Sequence, residues 1–345
     1  DKYIEGLEEL TRRGYKEVVP CYLINKVNTI MYLMDAMLQK APPESKNDDT
    51  MDMLFQFAAV WAFGGPQVID KQTDFRNKFS EEFKQMFGQK YPKEGSVFDY
   101  FYDIESGQHV HWETEVHEYQ PIPIGPGANE TPFTSVSVAS CASVSMTHVI
   151  DLLARQHKYA MLVGGAGTGK TLLIKEYLRT LDKDADGLLS SVITMSYFTD
   201  SMKLQGELEL SIDKRAGRMY GPAAGKTLIY FVDDMNLPYI ETYGTQNAIA
   251  LLTQLMGHQF FFDRSDVSLR KEIVDTQYLA AMNPTAGSFT ICERAQRHFA
   301  TFNCAMPGAA DLNTIYTAIF TGHLNGCGNA VSSLCGQIVD ATLQL

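Results

Sequence analysis

Eight consecutive residues, Gly164-Gly165-Ala166-Gly167-Thr168-Gly169-Lys170-Thr171, constrain this chain more than any other stretch. They fit the pattern GxxxxGK[ST] in full. They follow a short apolar run, Tyr159–Val163, and precede a helical pattern over Leu172–Leu181. Glycines let the backbone curl until successive N–H groups face one point. Those donors, with a helix N-terminus behind them, bind phosphate oxygens. On this reading Gly164, Gly165, Gly167 and Gly169 shape the cradle, Lys170 reaches the β- and γ-phosphates, and the Thr171 hydroxyl ligates Mg²⁺. The expected cofactor is ATP or ADP with Mg²⁺.

The other half of such a site is an acidic residue at the end of a buried strand. Thr227-Leu228-Ile229-Tyr230-Phe231-Val232-Asp233-Asp234 supplies it. Asp233 is the expected Mg²⁺ partner, and Asp234 stands where many ATPases carry a Glu general base. Asp is one methylene shorter, and a misplacement of about 1 Å can cost ~100-fold in rate. Asn283, after the apolar run Tyr278–Met282, is placed to orient a water beside the γ-phosphate. Arg294 and Arg297 precede another apolar run and are candidates to reach a neighbouring subunit's nucleotide. Each has a plain alternative: a solvated strand end for the carboxylates, a turn for Asn283-Pro284, surface ion pairs for the arginines.

Around the motif, short apolar runs alternate with helical stretches. Expected strands are Tyr159–Val163, Val192–Phe198, Leu228–Val232, Tyr278–Met282 and Phe299–Ala305, with a helix over Ser143–Gln156 before them. This alternation predicts an α/β fold, a parallel sheet with helices on both faces. Upstream, residues 1–40 read as helical, 41–49 as a loop, 51–63 as a helix stopped by Gly64-Gly65-Pro66, and 70–87 as a helix. Val97–Tyr102 and Val110–Trp112 around Ser106-Gly107 read as a hairpin. The Pro/Gly-rich stretch 120–132 marks the main domain boundary. Downstream, Leu312–Phe320 reads as a helix.

With 29 Lys+Arg against 41 Asp+Glu, the net charge of −12 argues against a nucleic-acid or anionic-membrane partner. No apolar run reaches the ~18–20 residues of a membrane span. The chain opens on Asp1, without Met, and reads as a piece of something longer. Six scattered cysteines without a CxxC predict free thiols in a reducing compartment, so the sequon at Asn129 is discounted. Asp182–Gly187 begins like a calcium loop, but the twelfth position is Ile193, where a Glu is needed. His109 and His111 lack a third ligand at useful spacing. Lys214, Arg215 and Arg218 read as a solvated loop.

Longer motifs carry a family resemblance. Phe231-Val232-Asp233-Asp234-Met235-Asn236-Leu237-Pro238 with Tyr243-Gly244-Thr245-Gln246 resembles the third AAA+ module of dynein heavy chains. Met282–Phe289, Arg297-His298-Phe299, Lys214–Pro222 and Phe98-Asp99-Tyr100-Phe101 are similar to the axonemal type, most of all the outer-arm beta-type chains. The resemblance spans nearly the whole chain. It implies an AAA+ P-loop NTPase fold, a three-layer αβα sheet flanked by helical lid segments. Residues 1–64 would end the preceding module's lid, 65–132 form an extension, 133–308 form the large subdomain, and 309–345 begin the module's own lid. It further implies a ring of six modules in one heavy chain, in which this one binds nucleotide and regulates. Arg294 and Arg297 would face the preceding module's nucleotide. Implied partners are the other modules, other dynein chains and, through a distant stalk, the microtubule, with a cytoplasmic and axonemal location in cilia or flagella. The stretch Ala139–Val144 departs from the Thr/Glu/Thr/Arg-like cluster the family often carries before the first strand. Two rival readings are a structural ring module holding a fixed nucleotide and an independent AAA+ remodelling ATPase.

Overall fold

The structure is a computed structural model that describes residues 2–12, 14–69, 73–88, 91–122, 124, 131–182, 184–284, 292–324, 328, 331 and 333–344. Its centre is a five-stranded parallel sheet. The strands are β3 (Tyr159–Val163), β4 (Leu188–Thr194), β7 (Thr227–Asp233), β10 (Thr276–Met282) and β11 (Phe299–Asn303). Their order across the sheet is β11-β3-β10-β7-β4. β7 and β10 are buried along almost their whole length. A parallel strand covered on both faces must be apolar on both, which is why these segments read as continuous runs and not as alternating ones.

Register matters for function. Val163 pairs with Met282 and with Asn303, and Val232 pairs with Ala280. The C-terminal ends of β3, β7 and β10 therefore lie side by side. In open α/β sheets, ligands bind outside the carboxyl ends of the strands, where the strand order reverses. Helices α5 (Cys141–Arg155) and α6 (Lys170–Thr180) cover one face, and α7 (Ser201–Glu209) and α8 (Asn247–His258) the other. α5 is started by a capping box between Ser140 and Ser143, so two residues of the departing 139–144 stretch serve as a helix cap.

The N-terminal region packs on the α5 side of the sheet. Helices α1 (Lys2–Arg12), α2 (Leu23–Lys40), α3 (Asp48–Ala59) and α4 (Phe75–Phe87) join a hairpin of β1 (Tyr100–Asp103) and β2 (Gln108–His111). One core unites Leu33, Trp61, Phe79, Trp112, Val149, Leu162 and Phe302. Burying each such large side chain contributes ~1.5–3 kcal/mol. α3 passes into a π-turn, Val60–Gly64, and stops. Packing requires a glycine there: a Cβ on Gly64 would lie 2.6 Å from the rings of Phe79 and Phe98.

Several expectations are corrected. Residues 1–40 form two helices, because Gly14 takes φ 75° and residues 16–18 run extended, Val18 N–H donating to Pro66 O at 2.9 Å. The second strand is Leu188–Thr194, not Val192–Phe198; after Thr194 the chain turns, with Thr199 N–H donating to Ser196 O at 3.0 Å and Phe198 exposed. The helix expected over Leu312–Phe320 runs from Ala309 to Leu324. A second sheet, β5 (Asp213–Lys214), β6 (Met219–Gly221), β9 (Arg270–Ile273) and β8 (Phe260–Phe262), has no counterpart in the sequence reading. Lys271 ties it to α7, with Nζ 3.1 Å from Glu209 and 2.8 Å from Asp263. Arg215 of the basic cluster is a structural tie, donating to Pro222 O at 2.9 and 2.7 Å and pairing with Asp275. Most of the 120–132 boundary, Asn129 and Glu130 of the sequon, Thr285–Phe289 and Cys327 lie outside the described residues.

Candidate nucleotide-phosphate site

The loop between β3 and α6 is clamped from both neighbouring strands. Gly164 N–H donates to Met282 O at 3.2 Å, and Cys304 N–H donates to Val163 O at 2.8 Å. The Cys304 thiol donates to Thr168 O at 3.2 Å. Gly167 and Gly169 take φ 78° and 84°, the left-handed region that L side chains avoid, and Gly169 is the residue from which α6 starts. The loop N–H groups and the helix N-terminus thus converge, as an anion site requires.

Lys170 is 8% exposed. Its Nζ donates to Gly164 O (2.8 Å), Gly165 O (2.6 Å) and Thr168 Oγ1 (3.3 Å), which uses all three ammonium donors. To grip a phosphate oxygen it must exchange one of these bonds. Burial pulls its pKa below the usual lysine value, opposed by Cys304, Asp234 and Asp233.

Thr171 Oγ1 donates to Asp233 Oδ1 at 2.9 Å, and Asp234 N–H donates to the same oxygen at 3.1 Å. A hydroxyl and a nearly buried carboxylate side by side are hard oxygen donors, the set Mg²⁺ prefers. These residues fit that ion. Asp234 has φ 53°, uncommon for a residue with a side chain. Burial and the adjacent Asp233 raise its carboxyl above the usual range, while Lys170 lowers it. Asn283 directly follows β10, and its carbonyl accepts a bond from Asn236 Nδ2 at 2.8 Å. The structure thus gathers Gly164–Thr171, Asp233, Asp234 and Asn283 at one rim of the sheet.

It does not bring the two arginines there. Arg294 lies on the short helix α9 (Glu293–Gln296), Arg297 just follows it, and both are exposed. They precede β11, whose first residue pairs with Tyr159 at the start of β3. They therefore stand at the opposite rim, about 13 Å or more from the phosphate loop at ~3.3 Å per residue.

Sequence reasoning missed two site-supporting residues. Cys304 carries no motif and is revealed only by its contact with the loop. Asn236 stands inside the quoted acidic motif, and its near-complete burial identifies it as the support for Asn283. The other candidates are engaged elsewhere. The His109 ring stacks on Tyr91 at 4.3 Å, and His111 Nδ1 accepts from Glu113 N–H at 3.2 Å. Asp182 accepts from Asp184 and Ala185 N–H at 2.8 and 3.1 Å, and Asp186 pairs with Arg155 at 3.0 Å.

The strand order, the loop after β3, and the acidic pair one strand away across β10 define a P-loop nucleotide-binding module of the AAA+ class. The comparisons narrow this. Residues 126–307 match the family described as P-loop containing dynein motor region, and residues 1–114 match the dynein heavy chain AAA lid domain. The human dynein axonemal heavy chain 17 is 36% identical over 352 residues, covering 100% of this chain and 8% of that protein. The flagellar outer-arm dynein beta chain of Chlamydomonas reinhardtii is 37% identical, covering 100% and 7%. The ciliary dynein beta chain of Tripneustes gratilla is 38% identical, covering 100% and 8%. The chain belongs to the family of P-loop dynein motor regions, with an adjoining dynein lid segment, is similar to axonemal heavy chains, and spans only 7–8% of these relatives' length.

Proposed function

We propose that this segment binds ATP or ADP with Mg²⁺ and serves as a regulatory module, the third, in the AAA+ ring of a heavy chain that drives microtubule-based ciliary or flagellar motility. The observation that carries the reading is the Thr171–Asp233 hydrogen bond beside the buried Lys170. Two segments 62 residues apart meet where a phosphate and its metal would sit. The loop N–H groups and Lys170 would hold the phosphates, Thr171 and Asp233 would hold Mg²⁺, and bound Mg²⁺ would screen phosphate charge. Asp234 would act on an attacking water and Asn283 would orient it, which supports slow turnover at most given the short Asp side chain.

In this reading residues 1–64 end the second module's lid, 65–132 are an extension, 133–308 are the large subdomain and 309–345 open its own lid. Two observations support neighbouring modules as partners. Arg294 and Arg297 are exposed at the rim opposite the phosphate loop, so they suit another module's nucleotide. Tyr197, Phe198 and Tyr239 are exposed beyond the C-terminal ends of β4 and β7, on the phosphate-loop rim. Other dynein chains and, through the stalk, the microtubule complete the assembly, in the cytoplasm of a cilium or flagellum.

A second reading, a structural module with a fixed nucleotide, is favoured by Asp234 in place of Glu. An independent remodelling ATPase is disfavoured because the lid-type segment precedes the phosphate loop. The test is nucleotide content: denature full-length heavy chain and its Lys170→Ala variant and quantify released ATP and ADP. The expected result is a loss of about one nucleotide per chain in the variant. Equal content would refute occupancy of this site. If nucleotide is lost while ring ATPase and motility are unchanged, the structural reading stands instead.

A further inference from the structure

The end of β11 is gripped from two sides by adjacent residues. Asn303, 5% exposed, donates its backbone N–H to Gly65 O and its Nδ2 to Gln67 O, both at 2.8 Å. Cys304, the next residue, bonds Val163 O and Thr168 O of the phosphate loop and its strand. The segment that Asn303 holds is itself fixed. Gly65 N–H donates to Trp61 O at 3.1 Å, and Gln67 Nε2 donates to Phe63 O at 3.0 Å. Both acceptors belong to the π-turn that ends α3.

There is little slack along this route. A Cβ on Gly164 would lie 2.2 Å from Cys304 O, and one on Gly65 would lie 2.8 Å from the Phe302 ring. If Lys170 exchanges its bond to the Gly164 or Gly165 carbonyl for a phosphate, that carbonyl is released, and any shift of Gly164 meets Cys304. Close-packed interiors transmit such displacements and do not absorb them. π-turns inside helices often mark functional positions.

We infer that Asn303 is a positioning residue that couples phosphate binding in the loop to the π-turn of the lid-family segment, so that filling the cradle tightens residues 60–68. The inference rests on the nucleotide-binding reading above. It runs backwards along the chain, from this module's nucleotide to the helices that precede it. Mechanically, Asn303 holds one end of the route and Cys304 the other.

Hydrogen–deuterium exchange on purified full-length heavy chain tests it, with ADP and Mg²⁺ as the probe and Lys170→Ala as the control for nucleotide bound at other modules. In the unmodified chain, nucleotide is expected to slow exchange over 164–171 and, by about fivefold or more, over 60–68. Lys170→Ala abolishes both responses. Asn303→Asp, which keeps the size and the backbone bond but removes the Nδ2 donor, keeps the loop response and loses most of the response at 60–68. A merely structural role would speed exchange at 60–68 equally with and without nucleotide, leaving the difference intact, and that result overturns the coupling. So does an unmodified chain whose loop responds while 60–68 does not, a measurement that needs no variant. If neither segment responds in the unmodified chain, the nucleotide reading falls with it, which separates the two failures.

Discussion

Gly164 and Gly165 are adjacent in the same motif, Gly164 at its fixed first position and Gly165 at a variable one. The structure assigns them different costs. A Cβ on Gly164 would lie 2.2 Å from Cys304 O, a backbone oxygen, where 3.4 Å is the start of ordinary contact. Gly164→Ala must therefore open that gap by about 1.2 Å. The oxygen cannot swing away as a side chain would, because Asn303 and Cys304 are bonded to Gly65, Val163 and Thr168. Overpacking of this kind costs ~1–3 kcal/mol. A Cβ on Gly165 meets nothing closer than Thr168 Cγ2 at 4.0 Å, and Gly165 does not need a positive φ. Gly165→Ala should cost the fold little, although it stands in the cradle.

The assay is hydrogen exchange on the full-length heavy chain without added nucleotide, since one melting temperature is ill-defined for a multi-module protein. Peptides covering 159–164 and 299–305 should exchange roughly 5- to 150-fold faster in Gly164→Ala, the equivalent of the ~1–3 kcal/mol above. In Gly165→Ala they should stay within about twofold of the parent. Equal behaviour of the two variants would refute the claim that the loop is wedged against the end of β11.

Three further outcomes follow from the same geometry. Asp233→Asn keeps an acceptor for the Thr171 hydroxyl but removes the charge, so nucleotide affinity should lose most of its Mg²⁺ dependence while the loop's exchange protection is retained; titration with and without Mg²⁺ reads it. Asp234→Ala and Asp234→Gly both remove the carboxylate and should lower turnover equally, but at φ 53° the Ala variant should be less stable by ~1 kcal/mol, visible as faster local exchange. His148, packed among Phe57, Phe101 and Trp112, has its pKa pushed down from 6.5 to about 4, first by burial and then by Lys40, with Asp151 opposing. The unfolded chain takes up this proton below about 6.5 and the fold refuses it until about 4, so the stability it contributes is whole above 6.5 and lost on the way down. His148→Phe should flatten the pH dependence of exchange in α5 between pH 6.5 and 5; an unchanged slope would show that other groups carry it.

What could be read from the sequence divides along physical lines. The phosphate loop was legible because its chemistry is local: glycines, Lys170 and Thr171 act within eight residues. The parallel strands were legible because burial on both faces leaves unbroken apolar runs, as in Leu228–Val232. Strand ends were less so. Tyr197 and Phe198 extend the apolar run after Thr194, yet the Ser196–Thr199 turn lifts them out of the sheet and exposes them. The second sheet was invisible because its strands are two to four residues long and are fixed by Lys271, Glu209 and Arg215, not by periodicity. The role of Cys304 was unreadable for a related reason: it depends on β11 lying beside β3, although the other three strands of that sheet intervene in the chain.

The backbone at Asp234 gives a physical account of why an Asp stands where a Glu was expected. The residue turns out of β7 in the left-handed region, where Asp, with a short side chain that bonds locally, is tolerated far better than longer residues. The turn is held: Asp234 N–H bonds Asp233 Oδ1, and Met235 N–H bonds Ala281 O at 3.0 Å. A Glu here would gain one methylene of reach toward a water at the γ-phosphate, but at the strained φ. On the proposed reading the short reach weakens Asp234 as a base, while Lys170, Thr171 and Asp233 would keep what phosphate and metal binding need. That reading has binding and turnover set by different residues in this site. Asp234→Glu should raise turnover without tightening nucleotide if reach is the limit, and should leave turnover low if the left-handed backbone is; single-turnover hydrolysis beside equilibrium binding distinguishes the two.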